Sequence, residues 1–245
     1  MSTPLSQFPK PEAEQYKGKR KLFLVPNFAF SPDAPEEGRR LLDRYWSEVR
    51  DHVHNLERSL GSVTHVFHET VFVPGDEGMK MLEAMNPQGC SFIQALCNST
   101  ARLEATEDQA LVEEGADWQR CISIGLMSEK VLKTALDGYQ DVTQRRYEHI
   151  GAKIDETLKE GESGVLFMRE DHRIQWAPGI QVFFVAPPAL DALKRWLNDR
   201  LRSVSQPEPP PEEKTEPEPP TAEQPDDEQT EQEPEKPDAA PDSKP

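Results

Sequence analysis

The chain has 245 residues and a net charge of −17 at pH 7, but the acidity is concentrated at one end. Residues 206–245 hold 14 Asp or Glu against three Lys, with 12 prolines and no aromatic or β-branched aliphatic residue. Such a segment cannot bury enough apolar surface to offset the entropy of ordering, so the sequence predicts a polar flexible leader over 1–20, a single globular domain over 21–205 and a disordered Pro/Glu-rich acidic tail over 206–245.

The first element, "KLFLVPN", is an apolar run closed by Pro26 and reads as a buried strand. Asp33 followed by Glu36 forms a capping box for the next helix, with Pro35 tolerated in its first turn. Leu41, Leu42, Tyr45, Trp46, Val49, Val53, Leu56 and Leu60 then recur mostly every three or four residues, one apolar stripe that Gly61 ends. "SVTHVFHETVFV" is β-branched and aromatic and reads as a strand closed by Pro74-Gly75.

A short helix is expected over 77–86, stopped by Pro87, while 88–103 carries no clear period. "EDQALVEEGADWQR" reads as a helix, and "CISIGL" fits either its continuation or a strand. From Ser128 to Glu160 runs a helix of roughly 45 Å, longer than a core of this size requires. It is kinked near Gly138 or Gly151, or it forms an arm that meets a partner helix. "GVLFM" and "IQVFFVA" supply two further strands, and a last helix starts at Pro187-Pro188 with Leu190, Leu193, Leu197 and Leu201 on one face. The order implies an α/β fold: a mixed or parallel sheet of about four to five strands flanked by helices.

"HVFHETVFV" (65–73) raises the question of a metal. In a strand, alternate side chains point apart, so His65 and His68 face opposite ways. His65 and Glu69 share a face but stand roughly 13 Å apart along it. A zinc-protease helix would need a second histidine where Phe72 stands. "HVHNLE" upstream is no better, because His52 and His54 lie roughly 200° apart on a helix. No metal and no cofactor is expected. Cys90, Cys97 and Cys121 are odd in number and lack CxxC spacing; Cys121, among apolar neighbours, reads as an inert core thiol.

No Walker loop, GxGxxG or GxSxG occurs. "FFVAPPALD" runs from a strand straight into a helix at the carboxyl end of the sheet, where α/β folds bind ligands; its prolines make it a poor phosphate cradle and a good rigid turn. The dense basic cluster Lys17, Lys19, Arg20 and Lys21 would face competition from the acidic tail, which argues against nucleic acid. Apolar runs far shorter than a membrane span, and a leader with no apolar core, make a cytoplasmic location without a membrane partner the expectation.

Two functional readings result. The first is a non-catalytic adaptor or accessory domain that binds a protein partner, or itself, through Leu136, Tyr139, Tyr147, Ile150 and Ile154 of the long helix. The alternative is a small-molecule-binding or hydrolytic α/β enzyme with a pocket near the strand ends, using His68, Glu69 or His172. Catalysis needs polar groups that converge in space, which sequence separation hides.

Overall fold

A computed structural model describes residues 13–205. Among the described residues are five strands and six α-helices: β1 (Arg20–Pro26), α1 (Glu36–Leu60), β2 (Val63–His68), α2 (Gly75–Met85), α3 (Pro87–Ser99), β3 (Arg102–Leu103), α4 (Gln109–Ser123), α5 (Glu129–Thr157), β4 (Ser163–Met168), β5 (Ile180–Phe184) and α6 (Pro188–Ser205). The strands form one sheet in the order β3-β2-β4-β1-β5, every neighbouring pair parallel. The expected tail, 206–245, lies outside the described residues, as does the leader up to residue 12. The remainder of the leader departs from expectation: Ala13–Tyr16 form a 3-10 turn, and the Tyr16 ring packs edge-on against Phe183, 5.1 Å between centroids.

Parallel strands with both faces covered read as continuous apolar runs, and β1 and β4 show why. Their odd-numbered residues, Phe23, Val25, Val165 and Phe167, enter one core with α1, α3 and α6. The even ones, Leu22, Leu24, Leu166 and Met168, enter a second core with α5 and the β4–β5 crossover. The central strands are thus buried on both sides, whereas Val182 and Phe184 of edge strand β5 remain exposed.

Helices approach closely where a tryptophan meets a glycine. Trp196 of α6 lies over Gly38 of α1, Trp118 of α4 over Gly138 of α5, and Trp46 of α1 over Gly89 of α3. A Cβ on Gly138 would stand 2.5 Å from the Trp118 ring, and one on Gly38 2.2 Å from Trp196. Gly138 therefore makes room for a neighbour; α5 runs unbroken through it and through Gly151.

Several boundaries differ from expectation for local reasons. α1 starts at Glu36 with Pro35 as its cap and no side-chain capping bond, so the Asp33 box does not form. β2 ends at His68, five residues early, because Val71 N–H turns back to His68 C=O and the Thr70 amide donates to His68 Nδ1. The unassigned 88–103 segment is mostly α3, whose N-cap Asn86 accepts from the Gly89 amide at 2.9 Å. Pro87 thus starts a helix as well as ending one. "CISIGL" continues α4 and then turns at Gly125, where φ is 76°. Cys121 is exposed, not core, since α4 buries little beyond the seam it shares with α5.

Candidate functional site

In an all-parallel sheet every strand delivers its next residues to the same rim. Asn27 follows β1, Glu69 follows β2, Glu107 lies just past β3, and Arg169 follows β4. β1 and β2 leave toward the first core and β4 toward the second. The connections therefore diverge on either side of β4, and such a switch point at the carboxyl ends is where open α/β sheets form a crevice.

Glu69 is the hub of this rim. Its Oε1 accepts from Asn27 Nδ2 at 2.8 Å, and Asn27 Oδ1 accepts in turn from Asn86 Nδ2 at 2.8 Å. Its Oε2 accepts from the Arg169 amide at 3.2 Å and faces the Arg169 guanidinium at 3.8 Å. The Glu69 side chain is 10% exposed and that of Arg169 52%, so the acid sits below its partner. Burial lifts the Glu69 carboxyl above the ordinary range, against the pull of Asn27 and Arg169. Beside it, Glu107 is fully buried and bonded to Arg146, which α5 contributes. Burial raises Glu107 as well, opposed by that guanidinium. Two acids, two guanidiniums and two carboxamides from six segments thus converge, each buried charge with a partner as desolvation demands.

Outside this layer, Tyr139, Thr143, Tyr147, Arg169, Asp171 and Arg173 line a cleft of about 490 Å³. A second groove of about 250 Å³ continues it between α5 and the β4–β5 crossover and shares Gln144, Tyr147 and Arg173. A larger hollow, about 780 Å³, lies at the other end of the sheet beside Asp51, His54 and Arg58. It is wide open, and the buried charged groups of the rim have no counterpart in its lining.

Of the sequence-derived candidates, Glu69 belongs to the rim. His68 does not: it is fully buried in the first core, its ring tilted against Phe167, and burial pulls it down to about 3, so it is neutral. Its Nδ1 accepts the Thr70 amide at 3.2 Å, and Nε2 has no partner. His172 lies on the crossover, accepting from the Ile174 amide at 3.3 Å with its ring against Trp176; burial lowers it. His65 stands on the opposite face from His68, between Glu104 at 2.8 Å and Glu162 at 3.2 Å. Among the described residues, no group of three or more His, Cys, Asp or Glu is placed to hold a metal ion.

The partner stripe needs correction. Tyr147, Ile150 and Ile154 are buried in the chain's own second core and are not available to another chain. The α5 stripe is occupied by the sheet over that stretch. Leu136 is exposed and Tyr139 partly so. In the "FFVAPPALD" turn the Ala189 amide at the start of α6 donates to Glu48 of α1 at 2.8 Å, so that helix end already holds a carboxylate.

Asn27, Asn86, Glu107, Arg146 and Arg169 were not anticipated. Asn27 and Arg169 carry a usable signal, being the first polar residues after the strands "KLFLVP" and "GVLFM". Comparison of the chain with family models, with curated proteins and with solved structures found no match in any of the three.

Proposed function

We propose that this α/β domain binds a small polar molecule at the carboxyl rim of its sheet. The observation that carries the proposal is the convergence of Glu69, Arg169 and Arg146 beneath a cleft at the switch point. A buried acid at such a place is a common mark of a functional site. Glu69 holds Arg169 from below, and Arg169, half exposed in the wall of the cleft, adds positive charge beside a bound molecule. The test is native mass spectrometry of the full chain purified from its own host. A stoichiometric small molecule is expected in the wild type and lost in Arg169→Ala. Wild-type protein that arrives empty, or a molecule retained equally by the variant, would sink the proposal.

A second reading rests on a separate observation. α5 is about 43 Å long, and its first half packs mainly on α4, leaving Ile124, Met127 and Val131 exposed at the end of this hairpin, Met127 at 98%, and Leu136 exposed further along α5. Exposed apolar patches of this kind mark interaction sites. The occupant we assign is a second copy of the chain. The hairpin intersperses acids and bases (Asp117 with Arg120, Lys133 with Asp137), so two copies meet without net repulsion. Size-exclusion chromatography with light scattering should show a dimer that Met127→Asp converts to monomer with an unchanged circular-dichroism spectrum. A wild type that is monomeric at 100 µM concentration (roughly the range where weak pairs of ~5 kcal/mol begin to form) removes this reading.

A further inference from the structure

We infer that the ligand of the rim is an anion borne on a flat aromatic ring, its charge at Arg173 and its ring in the groove beside Trp176; this rests on the binding reading above. The two hollows share Gln144, Tyr147 and Arg173, so a ligand at their junction can occupy both. They differ in character. The 490 Å³ cleft is polar, with Thr143, Arg169 and Asp171 in its wall. The 250 Å³ groove has Gly151 and Ala152 of α5 on one side, and Trp176 and Ala177 of the crossover on the other. Gln144, Glu148, Asp155 and Gln175 also line it, Asp155 paired with Arg20 and Glu148 bonded to Gln144; the groove is still the less polar of the two, and its indole offers a face on which a planar ring can stack.

The groove is built and held. Gly151 lets the crossover lie against α5, because a Cβ there would come within 3.3 Å of the Gln175 carbonyl and 3.4 Å of Ile174. Ile174 anchors the crossover in the second core, and the His172 ring meets Trp176 at 5.7 Å and 72°. The indole is partly buried and packs against the second core as well.

Charge decides the other half. Each neighbouring guanidinium already has an acid: Arg20 has Asp155, Arg146 has Glu107, and Arg169 has Glu69 and Asp171. Arg173 has no hydrogen-bond or ion-pair partner among the described residues, and it is exposed at the junction of the two hollows. A guanidinium fork matches the planar pair of oxygens of a carboxylate or phosphate.

The experiment is calorimetric titration of the full chain with phenyl phosphate, benzoate and inorganic phosphate. At least one of the ring-bearing anions should bind about tenfold or more tightly than inorganic phosphate (the ~1.4 kcal/mol that stacking can supply). Whichever of the two binds identifies the anionic group. Trp176→Ala should erase the ring's advantage and leave phosphate affinity unchanged, while Trp176→Phe, which keeps an aromatic wall, should retain most of it. Arg173→Ala should weaken ring-bearing and plain anions alike. If all three probes bind equally and Arg169→Ala abolishes them, the rim binds anions and the aromatic assignment is wrong. If none binds the wild type, this inference is overturned, while the molecule found by mass spectrometry still decides the binding reading by itself.

Discussion

The two halves of α5 share one backbone and one apolar period yet end in different environments. Over 147–157, Tyr147, Ile150, Gly151 and Ile154 are buried against Leu22, Leu24, Phe67 and Leu166 of the sheet. Over 129–146, Ala135 and Val142 are buried and Leu136 and Val131 are exposed. A period of three and four says which residues share a face; what that face meets depends on the surface opposite. A sheet presents a broad apolar plane, while α4 presents a seam one helix wide, fitted by Trp118 over Gly138. The inner half is thus part of the sheet's own core, whereas the outer half packs on α4 and reaches the body at its last turn, where Arg146 meets the buried Glu107.

The strongest way to break that division is Ile150→Asp with Ile154→Asp. Both side chains are fully buried, and each buried carboxylate should cost upward of roughly 4 kcal/mol. That is comparable to the whole stability of a domain this size. The far-ultraviolet circular-dichroism spectrum should collapse. A folded double mutant would mean that α5 does not depend on the sheet.

Acid should separate the halves next. His68 is held neutral in the body, with its folded value near 3 against 6.5 for an unfolded histidine. The unfolded chain thus binds the extra proton first, so the stability present above pH 6.5 is lost as pH falls toward 3, at about 1.4 kcal/mol per pH unit. Between pH 6.5 and 5 the body should lose about 2 kcal/mol, measured by urea denaturation, and His68→Phe should flatten that slope. Glu69 and Glu107, raised by burial, act with the opposite sign. Their contribution is present at low pH and lost as pH rises through their folded values, so the slope should be read in the variant as well as in the wild type. An unchanged slope in His68→Phe would remove the histidine from the account.

Gly138→Ala should be smaller and confined to the arm. The added methyl meets the Trp118 ring, a clash of about 1–3 kcal/mol set against about 1 kcal/mol of helix propensity gained. Hydrogen exchange should quicken in α4 and in 129–146 and stay unchanged in 147–157. Exchange that quickens throughout would show that the halves of α5 unfold together. Leu136→Asp, at an exposed position, should shift stability by no more than about 0.5 kcal/mol. A larger loss would place Leu136 in a contact within the chain.

Sequence by itself determined the α/β class, most of the strands and helices, and the opposite orientation of His65 and His68. These follow from short-range rules: periods of 2 and 3.6, glycine and proline punctuation, and the composition of an apolar strand. "KLFLVP" and "GVLFM" were legible as buried strands because both faces of each are apolar. β3 was not, since two residues leave no period to read. The rim was half legible. Glu69 stood out as a candidate, but Asn27, Glu107, Arg146 and Arg169 lie 38 to 100 positions from it. Only the order β3-β2-β4-β1-β5, which inserts β4 between β2 and β1, brings their segments to one edge. Likewise the burial of Ile150 and Ile154, and the exposure of Leu136 on the same stripe, were decided by where the sheet ends beneath α5. Strand order and the extent of a packing surface are long-range properties, set by the sum of many weak contacts across the chain.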